Sequence, residues 1–110
     1  MTRKIMTTLV LATSMAVGTA QAQDVEAGRH IAQTWCRNCH NVTPDAGRGN
    51  DARPPSFASV AQMPSTTNIS LAVFLSTPHA RMPDFSLSQQ EIRDVSAYIL
   101  SLRKTPPKNY

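Results

Sequence analysis

Two stretches of this 110-residue chain repeat apolar side chains at helical spacing. The clearer one runs from about Gln89 to Arg103. Ile92, Val95, Ile99 and Leu102 return every three or four residues, with Tyr98 beside them, which is the stripe of an amphipathic helix. Ser88 and Glu91 have the S-x-x-E spacing of a capping box, and Pro106 and Pro107 stop the helix. Arg103 and Lys104 suit the negative end of its dipole. The other stretch runs from about Asp24 to Cys39. Asp24 is a fitting N-cap, Glu26 lies in the first turn, and Val25, Gly28, Ile31, Ala32 and Trp35 fall on one face.

Two weaker segments lie between them. Ile69 to Ser76 reads as a helix capped by Thr67 or Asn68 and ended by Pro78. Ser56 to Ala61 reads as one short turn. Residues 41–55 hold Pro44, Gly47, Gly49, Pro54 and Pro55 and read as loop. No run alternates well enough for a strand, so the expected class is all-α.

The chain's start has a different grammar. Arg3 and Lys4 precede an uncharged apolar run from Ile5 to Val17, followed by Ala20-Gln21-Ala22. This is the order of a secretory signal peptide cut after Ala22. The run falls short of the roughly 20 residues a spanning helix needs. The expected organisation is a leader at 1–22 and one domain at 23–110, with 105–110 frayed. That places the protein in the periplasm with no membrane anchor after cleavage.

Composition then changes the picture in two ways. The net charge of +4 includes the leader; without Arg3 and Lys4, nine Lys/Arg face seven Asp/Glu, a net of +2. So small an excess, with no basic run interleaved with aromatics, argues against nucleic acid as a partner. A domain this small also buries a limited share of its surface and needs a staple. Aromatics are few: Trp35, Phe57, Phe74, Phe85, Tyr98 and Tyr110. A large apolar cofactor would complete the core.

The candidate staple is Cys36-Arg37-Asn38-Cys39-His40. C-x-x-C-H is the attachment pattern of haem c. Each thiol adds to a haem vinyl group as a thioether, and the two-residue gap presents both sulfurs to one porphyrin edge. The adjacent imidazole then reaches the iron. Three other readings compete. A Cys36–Cys39 disulfide suits an oxidising compartment. A thioredoxin-like pair needs a strand before its helix. Structural zinc wants four ligands, and Cys36 and Cys39 are the chain's two cysteines.

With the motif closing the first helix and Met82-Pro83 just before the last, the domain resembles small monohaem class I c-type cytochromes over nearly its whole length. The resemblance implies first and last helices packed across each other, a small residue on one against an aromatic on the other. Gly28 and Tyr98 match that pattern. It also implies Met82 as the second axial ligand of the iron, six residues before Ser88. Met63-Pro64 is a second such pair, but a helix separates it from the last one, and core filling suits it better. His79 would give a bis-histidine haem and otherwise serves the loop; His30 lies off the apolar face. In the resembling family a loop proline carbonyl holds the ligand histidine, and Pro54 and Pro55 are the candidates, although Arg53 stands where a glycine is common.

The expected function is periplasmic transfer of one electron on a covalently bound His/Met-ligated haem c, with no catalysis of its own. Redox partner proteins would dock transiently near Arg37, Arg48, Arg53 and Arg81, with Asp45, Asp51 and Asp84 between them. Two alternatives stay open. The chain can be the tightly bound cytochrome subunit of a periplasmic dehydrogenase or oxidase. It can also be an open-site gas-binding or catalytic haem protein, which requires that Met82 not bind iron.

Overall fold

The computed structural model describes residues 22–45, 54–77, 79 and 81–104. The expected leader (except Ala22), the tail at 105–110, Pro78 and the loop charges Arg48, Asp51 and Arg53 lie outside them. The described residues form four α-helices and no strand: α1 at Val25–Ile31, α2 at Phe57–Gln62, α3 at Asn68–Ser76 and α4 at Gln89–Ser101. A π-helical turn, Ala32–Cys36, continues α1.

The caps explain where the helices begin. Asp24 Oδ1 accepts from the N–H groups of Glu26 (2.9 Å) and Ala27 (3.0 Å), satisfying two of α1's orphan donors. Ser56 Oγ does the same for Ser59 N at the start of α2, and Thr67 caps α3. Ser88 and Glu91 form the reciprocal box of α4: Ser88 Oγ accepts from Glu91 N (3.2 Å) and Glu91 Oε2 from Ser88 N (2.7 Å). The Ser88 N–H bond to the carboxylate, aided by the Ser88 side chain, holds Glu91 below the ordinary glutamate range.

α4 is the central element, packed against α1, α3 and α2. Val95, Tyr98 and Ile99 from α4 meet Ala32, Cys36, Val42, Phe57, Ala61 and Leu71 in the core. The crossing of α1 and α4 is set by Gly28. A Cβ there would lie 1.9 Å from the Asp94 carbonyl oxygen and 2.4 Å from its carbon, so only hydrogen lets the backbones come this close. Gly28 therefore rests on the backbone of Asp94 and Val95, a turn before the aromatic Tyr98. Buried Asp94 adds a polar tie: its Oδ1 accepts from Asp24 N (2.9 Å) and Gln90 Nε2 (2.7 Å), fastening the N-cap of α1 to α4.

Two expectations fail for identifiable reasons. Trp35 is 52 % exposed rather than on the buried face, and Cys36 takes the inward position at 7 %. The π turn causes this. Arg37 N donates to Ala32 O (3.1 Å), five residues back, and the wider turn delays the helix rotation by about one residue. Thr34 Oγ1 also donates to His30 O (2.8 Å), a bond that bends helices. Met63, expected as core filler, is 43 % exposed, because the chain leaves α2 there in extended conformation.

Arg103 does not serve the end of α4. It reaches across to α2, donating from Nε to Ala61 O and from Nη2 to Thr66 O, both at 2.7 Å. Its charge thus meets the carbonyl end of a neighbouring helix.

Candidate functional site

Cys36, Cys39 and His40 stand on one tight turn. Cys39 N (3.2 Å) and His40 N (2.9 Å) both donate to Cys36 O. Cys36 points into the core, Cys39 is exposed, and the two thiols are not bonded to each other. Burial pushes the Cys36 thiol up to about 11. Among the described residues, no three His, Cys, Asp or Glu side chains gather as a metal site would require. The opposite exposure of Cys36 and Cys39 weakens the disulfide reading.

His40 is held on two sides. Its Nδ1 lies 2.8 Å from the carbonyl oxygen of Pro55. A carbonyl only accepts, so Nδ1 is the donor, and Nε2 is the ring nitrogen left for a ligand. The Phe57 ring packs beside the imidazole, centroids 5.3 Å apart at 48°. The backbone repeats the brace one residue on, where Phe57 N donates to Asn41 O (2.9 Å). Tyr98 then fixes the next residue: its buried hydroxyl donates to Val42 O (2.6 Å). Of the two candidate prolines, Pro55 supplies the carbonyl. Pro54 is exposed beside it.

Met82 belongs to a different neighbourhood. It is half-buried in a recess with Phe74 and Leu75 of α3 and with Pro83, Phe85 and Leu87 of its own segment. None of Cys36, Cys39 and His40 lines that recess. The link between the two neighbourhoods is aromatic: Trp35 meets Phe85 with ring centroids 6.1 Å apart. His79 stays with its own loop, Nδ1 being 3.1 Å from Phe74 O and 3.3 Å from Thr77 O. His30 is exposed.

Sequence reasoning missed Tyr98 and Phe57 as supports of the motif. Their aromatic character on a small chain was a signal, but the carbonyl at Val42 that Tyr98 serves has no side-chain signature.

The residues present fit a haem. A fixed imidazole with a free nitrogen and two thiols share one turn. Apolar side chains are numerous on the surface: Trp35, Ile69, Val73 and Phe74 are 52 to 79 % exposed. So much uncovered apolar area on so small a domain suits a large apolar ligand or a partner. Together with the all-helical fold, these features define a c-type cytochrome.

The comparisons agree. Residues 23–99 match the family described as cytochrome c oxidase, cbb3-type, subunit III, and the chain belongs to it. Cytochrome c-552 of Bradyrhizobium diazoefficiens is 44 % identical over 95 residues, covering 86 % of this chain and 90 % of that protein. The cytochrome bc1 complex cytochrome c subunit of Corynebacterium diphtheriae is 35 % identical over 86 residues, covering 76 % of this chain. This chain spans only 29 % of that subunit's length. No solved structure matches. The protein is thus a small class I c-type cytochrome with covalently bound haem c, and its role is electron transfer.

Proposed function

We propose that this chain is an exported, non-enzymatic electron carrier in which Cys36 and Cys39 hold haem c and His40 and Met82 are the axial ligands of its iron. The observation that carries the reading is the 2.8 Å bond between His40 Nδ1 and Pro55 O. It orients the ring and favours the tautomer with Nε2 open to a ligand, as carbonyl partners of ligand histidines do. Bound haem supplies an iron that takes up and gives back one electron. The protein's part is to keep the surroundings constant between the two states. His40 is fixed by Pro55 and Phe57. Met82, in its largely apolar recess with Thr77 and Asp84 at its wall, is the thioether available for the other axial position, and such a ligand raises the potential relative to bis-histidine ligation. Buried Cys36, as a thioether, would anchor the ring to the end of α1.

The test is an optical spectrum of the purified holoprotein. The far-red methionine–ferric band should be present and should vanish in Met82→Ala. A band that survives would assign the position to another residue, while rapid carbon monoxide binding to ferrous wild type would support the open-site alternative.

Export after cleavage following Ala22 is part of the proposal, and N-terminal sequencing of secreted protein should begin at Gln23. No helix of the described residues is long and apolar enough to cross a membrane. Docking near Arg37 and Arg81, both exposed, would make association with a redox partner slow as salt rises. A rate constant across ionic strength would remove that mode of docking.

A second reading has support of its own. The matched family is described as an oxidase subunit, and one relative as a subunit of a bc1 complex. On that reading the domain is a bound cytochrome subunit of a larger oxidoreductase. Co-purification with such an enzyme under gentle extraction would decide for it.

A further inference from the structure

Met82 opens a segment, residues 82–87, that has neither helix nor strand. Its internal bonds are short-range: Met82 N donates to His79 O (2.9 Å), and Ser86 N donates to Asp84 Oδ1 (2.8 Å). Among the described residues, no hydrogen bond joins residues 83–87 to another element. Ser86 adds a cost, with φ of 48° in the left-handed region that favours glycine. Side-chain packing must therefore hold this segment in place. Part of that packing comes from α3, around Met82 itself.

The other part comes from the π turn that continues α1. Trp35 meets Phe85 with centroids 6.1 Å apart and planes tilted by 46°, within the range of favourable aromatic pairs. Trp35 is 52 % exposed, so the protein core does not account for it. Its position does: it is the residue before Cys36, turned out by the π turn, and its partner is three residues after Met82.

We propose that Trp35 is a positioning residue for Met82, using Phe85 as the handle by which the attachment end of α1 holds the methionine segment toward the iron. This rests on the reading of Met82 as an axial ligand. Trp35 sits on the same turn as the haem-attachment motif, so the rigid half of the site constrains the soft half directly. Loss of the contact frees the segment to swing away, and an added ligand then competes better for the iron.

The experiment is an imidazole titration of ferric holoprotein, followed by loss of the far-red methionine band. Trp35→Ala should tighten imidazole binding by about two- to tenfold, the range an aromatic pair supports. Phe85→Ala should do the same without touching the attachment helix, which keeps the test valid if Trp35→Ala lowers haem yield. The double variant should bind no tighter than the tighter single variant, and Trp35→Phe should stay within twofold of wild type. A merely structural role would lower Tm without this coupling or this rescue. The proposal is overturned if both alanine variants bind imidazole as wild type does, or if their effects multiply in the double variant. Wild type without the far-red band would instead overturn the Met82 reading beneath it.

Discussion

The two halves of the site are built in opposite ways. On the histidine side, every residue from Cys36 to Val42 except Asn38 is either buried or tied by a bond to a neighbouring residue or element. His40 bonds Pro55, Asn41 receives Phe57, and Val42 receives Tyr98. On the methionine side, residues 83–87 make no hydrogen bond to another element among the described residues and rely on side chains such as Pro83, Phe85 and Leu87 for contact. Such a contrast separates two tasks. A braced imidazole keeps one ligand constant through the redox cycle. A segment held by packing alone has a lower local stability, and it opens first.

The largest expected effect comes from breaking the braced half at its foundation. Gly28→Ala drives a methyl group into the Asp94 carbonyl, forcing α1 off α4 at a cost of about 3 kcal/mol or more. Thermal unfolding should show a large fall in Tm. A Tm near wild type would mean that the helices do not cross at Gly28.

Tyr98→Phe is the finer cut. It leaves the Val42 carbonyl buried without its donor, for a loss of about 1–3 kcal/mol. Hydrogen exchange should quicken at residues 40–42 and stay unchanged at 84–87. Equal change in both segments would erase the distinction drawn between them.

Ser86→Gly acts on the other half and in the other direction. Relief of the left-handed strain is partly offset by glycine's extra entropy in the unfolded chain, leaving a gain of about 0.5 kcal/mol. Urea unfolding should show a slightly higher midpoint; a lower one would deny the strain.

The smallest effect concerns acid. Glu91 is held below its ordinary value by bonds from Ser88, and Glu26 chiefly by its hydrogen bond with Arg29. A depressed carboxylate contributes stability above its unfolded value, about 4.3, and loses it as pH falls through the lower folded value. Tm should therefore decline only below about pH 4, and Glu91→Gln should flatten part of that decline. Neither helix start belongs to the methionine segment, so the far-red band should be indifferent to Glu91→Gln.

Much of this was legible in the residues. α4 announced itself by Ile92, Val95 and Ile99 and by the Ser88–Glu91 box. Asp24 and Thr67 cap as their side chains suggest, and Cys36-Arg37-Asn38-Cys39-His40 names its own chemistry. What escaped notice depends on geometry that no residue type encodes. A π turn differs from an α turn by one hydrogen-bond step, so a helical wheel places Trp35 inside and Cys36 outside, the reverse of their positions. Gly28 was marked as a close-contact residue, but a backbone carbonyl as its neighbour leaves no trace in sequence. Arg103 looked like a cap for its own helix because charge pattern is one-dimensional, whereas its guanidinium reaches Ala61 and Thr66 across the fold. Pro54 and Pro55 are both candidate partners for His40 in the sequence, and the path of the chain selects Pro55.

The π turn has a consequence for anyone who would move this site elsewhere. It acts as a phase shifter: the stretch from Gly28 to Cys36 has one residue more than a straight helix would need to turn the sulfur inward. Grafting Trp35 and the five-residue motif onto an ideal helix in the same register would send Cys36 to water and drive the indole into the host's core. A transplant has to carry the surplus residue with it, or shift the motif by one.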